Sequence, residues 1–212
     1  MLLLGIIKLI EDKFNIENDT NIVGVQVIIL IEDSVKFYSS YLPLIYTEIL
    51  KQSQRLITEG VNLTHKFLRM RARPKILLCT NYDEAWQYYE KYKESVLGII
   101  SDVNFRHGAE KDPEAGITFA KEVHREMPDI PVLLQSSNPD NAAKAREIGA
   151  SFVLKGSPRL LHELSEFILK NFGFGDFIFT TPEGRVVGRA HNLITLEEQL
   201  RRVPDEVVLY HA

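Results

Sequence analysis

Three acids, a hydroxyl and a lysine fall at the ends of short apolar runs. Asp102 follows Val96-Leu-Gly-Ile-Ile-Ser101, Glu32 and Asp33 close Val27-Ile-Ile-Leu-Ile31, Ser136 closes the run from Val132, and Lys155 follows Phe152-Val-Leu154. Runs of this length have the form of parallel strands buried on both faces. In an open α/β sheet, ligands bind at the carboxyl ends of such strands. Three carboxylates brought together there repel one another, and at neutral pH they share protons or recruit a cation. A hard divalent ion, Mg²⁺ rather than a soft metal, suits all-oxygen ligands. No His/Cys cluster competes for that role. Lys155 can neutralise a further anion, and the hydroxyl of Ser136 can donate to it. A carboxylate nucleophile, a metal and a lysine together describe phosphoryl transfer to aspartate.

The elements that must position these groups can be read in order. Residues 1–24 combine an apolar start with a polar stretch, Asn15 to Asn21, which reads as a linker. Val25–Ile31 is β-branched and predicts the first strand, after which Ser34 can cap a helix. That helix is long, reaching toward Arg73, with Pro43 expected to kink or break it and Gly60 to end its regular part. The basic cluster Lys66, Arg69, Arg71 and Arg73 reads as a solvated face. Further strands are expected over Lys75–Thr80, Val96–Ser101, Pro131–Ser136 and Ser151–Lys155. The intervening helices are expected over Asp83–Glu94, Pro113–Met127 and from Asn138 to Ile148, with a last one over Pro158–Phe172. Strands and helices alternating over residues 25–172 specify an α/β fold, a doubly wound five-stranded parallel sheet with an extended first helix. Residues 173–212 read as a small α+β appendage. It has a hairpin of Asp176–Thr181 and Arg185–Ala190 around Pro182-Glu-Gly184, a capped helix from Thr195, and a last apolar run from Glu206. Apolar segments at both termini suggest a piece of a longer chain.

Composition narrows the function. The 212 residues are 45% hydrophobic and 25% charged, with a formal net charge of -4. That balance gives no reason to expect nucleic acid or an anionic membrane as partner. The single cysteine, Cys79, excludes an internal disulfide, fits a reducing cytoplasm, and reads as core packing. The apolar N-terminus lacks the basic flank and cleavage site of a signal peptide.

The ordered set Glu32-Asp33, Asp102-Val-Asn104, Ser136, Phe152 and Lys155 resembles the receiver domain of bacterial response regulators. The resemblance covers about residues 25–172 and implies a flavodoxin-like receiver fold. It implies Asp102 as phosphoacceptor, Asp33 as a direct Mg²⁺ ligand, Glu32 as a ligand through water, and Asn104 as a ligand through its backbone carbonyl. Ser136 and Lys155 would hold the phosphoryl oxygens, and Phe152 matches an aromatic switch position. The partners implied are a histidine kinase or other phosphohistidine donor and an attached or separate output module. The sequence departs from the receiver pattern at Gly156-Ser-Pro158, where receivers usually have Lys-Pro, and in the length of the first helix. That helix and the tail are similar to the receiver-like front regions of proteins related to phosphoenolpyruvate synthase and pyruvate phosphate dikinase.

Other readings compete. A pseudo-receiver would keep the fold as an interaction module without phosphorylation. A flavodoxin-like cofactor binder needs a phosphate loop where Glu32-Asp33 would repel it, and an α/β hydrolase needs Gly-x-Ser-x-Gly, which is absent. His107, just past the acceptor loop, reads as a solvated loop residue. The long helix after Ser34 could pair with its copy in a homodimer, although Gln52 interrupts its apolar stripe.

Overall fold

The computed structural model describes residues 2–58, 73–172, 177–181, 185–190, 201 and 208–211. It divides into two compact units, Met1–Ser165 and Glu166–Ala212. The expectations for Gly60, for Lys66, Arg69 and Arg71, for the Pro182-Glu-Gly184 turn and for the helix from Thr195 lie outside the described residues.

The first unit is built on a parallel sheet. Its strands are β1 (Val27–Ile31), β2 (Lys75–Cys79), β3 (Val96–Asp102), β6 (Val132–Ser136) and β7 (Ser151–Leu154), in the order β2-β1-β3-β6-β7. All neighbouring pairs are parallel. Taken as a series, the order is 2-1-3-4-5, the flavodoxin-like winding, whose switch point lies between the first and third strands of the series. β1 and β3 are those strands, so Glu32-Asp33 and Asp102 emerge side by side at the crevice. All five residues of β1 are buried, as expected of a central strand covered on both faces. Val27, Ile29 and Ile31 join the core beneath α3 (Tyr82–Tyr92) and α4 (Ala115–Glu126). Ile28 and Leu30, equally buried, point to the opposite face by strand alternation. The remaining helices of the unit are α1 (Leu2–Val23), α2 (Val35–Thr58) and α5 (Asn141–Glu147), with α6 (Leu160–Asn171) straddling the division between units.

Three sequence expectations are corrected. The polar stretch Asn15–Asn21 is not a linker but the second half of α1. Asn15 Nδ2 and Thr20 Oγ1 donate back to the Glu11 and Ile16 carbonyls, at 2.9 and 2.6 Å, so polar side chains are bonded along the helix. Arg73 is not on a solvated face. It is buried with Asp12 of α1, whose Oδ2 accepts from Arg73 Nη1 (3.1 Å), Tyr46 Oη (2.9 Å) and the Ile76 backbone amide (2.9 Å). Pro43 does not break α2, which runs through it. The missing amide bond costs roughly 3 kcal/mol, offset by burial of Tyr41, Leu42, Ile45, Tyr46 and Ile49 around it.

One element has no counterpart in the sequence reading. Between β3 and α4 the chain forms a small hairpin, β4 (Phe105–His107) and β5 (Glu110–Asp112). His107 belongs to it and is not a free loop residue: its ring stacks on Tyr82 with centroids 4.0 Å apart. In the second unit, β8 (Phe177–Thr180) pairs antiparallel with both β9 (Val186–Ala190) and β10 (Val208–His211). The two expected hairpin strands are therefore present, and the last apolar run adds a third.

Candidate phosphoacceptor site

Asp102 ends β3, where the ladder to β6 gives out opposite Gln135. Its carboxylate is held by protein groups on both oxygens. Oδ1 accepts from the amides of Val103 (2.7 Å) and Asn104 (3.3 Å), and Oδ2 lies 2.7 Å from Lys155 Nζ. The approach of α4 to this strand end depends on Gly116. Its amide donates to the Val103 carbonyl at 3.0 Å, and an added Cβ would stand 2.1 Å from the Asp102 carbonyl oxygen. No side chain fits there, so the residue is a packing requirement of the acceptor loop. Sequence reasoning passed over it, since a lone glycine near a helix start carries no distinctive signal.

Glu32, Asp33 and Asp102 each place a carboxylate oxygen within 4.8 Å of the others. Three hard anionic oxygens at that separation suit a divalent cation such as Mg²⁺. Two lysines balance them. Lys155 Nζ sits 2.6 Å from Glu32 Oε2 as well as 2.7 Å from Asp102, with its side chain almost wholly buried. The Phe37 ring lies beneath it, 4.4 Å from centroid to Nζ, an arrangement that stabilises the cation. Lys111, carried in by β5, pairs with Asp33 at 2.9 Å. Gln135 donates to Glu32 Oε2 at 3.4 Å. Phe37, Lys111 and Gln135 were not predicted, because only the tertiary fold brings them to the acids.

The reach of Lys155 is set locally. Its amide donates to the Ser136 carbonyl at 2.8 Å. Gly156 then turns the chain with φ +87, a conformation that side-chain-bearing residues rarely adopt. Gly156 thus supplies the turn that directly follows Lys155. Ser136 Oγ faces the same cleft and is held by the amide of Asn138 (3.1 Å) and by Asn141 Nδ2 (2.9 Å). Both bonds are donated to it, leaving the hydroxyl proton for another acceptor. Asn104 is exposed and lines the cleft. Phe152 is half-buried against the core cluster. All six predicted site residues, Glu32, Asp33, Asp102, Asn104, Ser136 and Lys155, thus lie at one sheet edge. Five of them, with Lys111, Asn141 and Lys144, line an open cleft of about 450 Å³, and Glu32 is fully buried behind it.

Burial dominates the electrostatics of Glu32, raising its pKa from 4.5 to about 7, with nearby Asp102 adding to the rise and Lys155 opposing it. A carboxyl poised near neutrality beside a second acid gains most from an incoming cation. Burial also pushes the Cys79 thiol well up, and the side chain is enclosed, in line with a packing role. No helix among the described residues is long and apolar enough to cross a membrane.

No protein-family model and no curated protein sequence matches the chain. The solved structures it is similar to include response regulators and a receiver domain protein. One is a response regulator receiver domain protein from Clostridium thermocellum, 16% identical over 70% of this chain and 94% of that one, with a TM-score of 0.48. Another is the phosphorylated cyanobacterial phytochrome response regulator RcpA, 14% identical over 77% of this chain and 99% of that one, TM-score 0.46. A third is the Mn(2+)-bound form of response regulator Rcp1, at 15% identity, 68% and 91% coverage and a TM-score of 0.40.

Proposed function

We propose that this chain is a phosphoacceptor module of two-component or phosphorelay signalling, and that Asp102 receives the phosphoryl group in a Mg²⁺-dependent reaction. The observation that carries the reading is the position of the Asp102 carboxylate. It sits at the tip of a central strand, 2.7 Å from a buried lysine and within 4.8 Å of two further acids. A divalent cation there would offset the charge that builds on the phosphoryl oxygens. Asp33 and Asp102 would hold it through their side chains, Glu32 through water, and Asn104 through its backbone carbonyl.

In the proposed step, an Asp102 carboxylate oxygen forms a bond to phosphorus as the bond from phosphorus to the donor breaks. The donor is a phosphohistidine or a small acyl phosphate, and the bonding pair leaves with its imidazole or carboxylate. Lys155 turns from Glu32 and Asp102 to the new phosphoryl oxygens, and Ser136 donates its free hydroxyl proton to them. Ser136 and Phe152 then transmit the added charge to the surface around β6 and β7. The partners are a histidine kinase or similar donor and an attached or separate output module. From the resemblance of the first helix and tail, that output is a phosphotransferase of the phosphoenolpyruvate synthase type. The site accepts a group on its own side chain and does not turn over a substrate, and we place the protein in the cytoplasm.

A second reading has its own support. Lys155 and Lys111 already balance the three acids, as they would in a pseudo-receiver whose cluster only stabilises the fold. Phosphoramidate treatment with Mg²⁺, borohydride reduction of any acyl phosphate, and peptide mass spectrometry separates the two. Reduction products at Asp102 support the acceptor; unmodified Asp102 in folded protein supports the pseudo-receiver.

A further inference from the structure

α1 has two faces of opposite character. Gly5, Asp12 and Ile16 are buried, and Asp12 is tied to Arg73, Tyr46 and the Ile76 amide. The helix is therefore fixed on β2 and α2 and does not trail as a loose end. Its other face carries Leu3, Ile7, Ile10 and Phe14, exposed by 70, 53, 51 and 83%. Of the nine large apolar side chains exposed among the described residues, six lie on this helix, the other two being Ile6 and Ile22. Such concentration is not the scatter expected of an ordinary surface. Together these side chains present on the order of 600 Å² of apolar area, at the upper end of patches carried by monomers. A stable interface takes about 800 Å² from each partner, so this stripe with its polar rim is of the required size.

The spacing identifies the partner. Steps of four, three and four residues from Leu3 to Phe14 are the alternation of a coiled-coil seam, so the complementary surface is another helix. The same steps read identically in both chain directions. Two copies laid antiparallel about a two-fold axis would set Leu3 opposite Phe14 of the other copy, and Ile7 opposite Ile10. Every knob on one helix then has a counterpart on its mate over about 16 Å of helix. Self-matching of this kind is what an isologous dimer requires. Lys8, Glu11 and Lys13 border the stripe with mixed charge, so no single-sign field opposes the pairing. On α2, by contrast, Tyr41, Leu42, Ile45, Tyr46 and Ile49 are already buried.

We propose that α1 is a dimerisation helix that pairs antiparallel with α1 of a second copy of this chain through Leu3, Ile7, Ile10 and Phe14. The test is sedimentation equilibrium of the full chain beside Ile10→Glu and Phe14→Ser, with thermal melts as folding controls. The wild type sediments as a dimer, and each variant dimerises at least tenfold more weakly with its melt little changed. A second arm fixes orientation, and the enclosed Cys79 does not interfere. Mild copper-phenanthroline oxidation of mixed Leu3→Cys and Phe14→Cys proteins gives the mixed disulfide dimer in preference to either homodimer. A wild type monomeric at all concentrations overturns the proposal, as does a dimer indifferent to both variants or a preference for Leu3→Cys homodimers. So does a wild type that stays monomeric yet binds phosphatidylglycerol vesicles, which would make the stripe a membrane contact.

Discussion

Glu32 is fully buried, beside two further acids and the ammonium of Lys155. Its pKa of about 7 lies above the 4.5 of an unperturbed glutamate. In the metal-free protein this group's contribution to stability is therefore complete below pH 4.5 and is lost as pH rises through about 7. Cation binding runs in the opposite sense, since it requires the ionised form. Mg²⁺ affinity, measured by titration calorimetry, should be about tenfold weaker at pH 6 than at pH 8, with a proton released on binding. Glu32→Gln should bind more weakly at pH 8 and lose most of the pH dependence. Gly116 gives a second prediction at this scale. A Cβ 2.1 Å from the Asp102 carbonyl cannot be accommodated without moving backbone. Gly116→Ala should cost about 3 kcal/mol in urea unfolding. The acids, Ser136 and Lys155 were legible because each closes an apolar run. Gly116, Lys111 and Gln135 were not, because their roles depend on what the fold sets beside them.

At the scale of elements, β2 is an edge strand, and α1 covers it. Asp12 accepts a hydrogen bond from the Ile76 amide and so closes one position of an edge that would otherwise remain open. Its partner Arg73 is 61 residues away in sequence. That separation explains the two largest misreadings. A polar helix half looked like a linker because its anchors are remote, and a buried arginine looked solvated because its neighbours in sequence are basic. Arg73→Ala would leave Asp12 buried without its main counter-ion, although Lys75 Nζ at 3.6 Å softens the loss. We expect a destabilisation of about 3 kcal/mol, the lower end for breaking a buried pair. Chemical unfolding checks this, with Asp12→Ala giving a loss of similar size. The β4–β5 hairpin escaped notice for another reason. Strands of three residues, all charged or polar apart from the buried Phe105, have no apolar period to detect.

Across the first unit, the order of the strands is what turns scattered residues into a site. Parallel winding with the order β2-β1-β3-β6-β7 brings the carboxyl ends of β1 and β3 together and sets β6 and β7 beside them. Residues 32, 102, 136 and 155 meet in that topology, which is why the alternation of strands and helices and the order of site residues pointed the same way. The central claim is that this edge accepts a phosphoryl group on one aspartate. Intact-mass measurement after incubation with acetyl phosphate tests it most directly, with and without Mg²⁺ and beside Asp102→Asn. The account predicts a gain of one phosphoryl that requires the metal and is absent in the variant. A folded wild type that gains nothing under any condition, or an Asp102→Asn protein that gains as much, would contradict it.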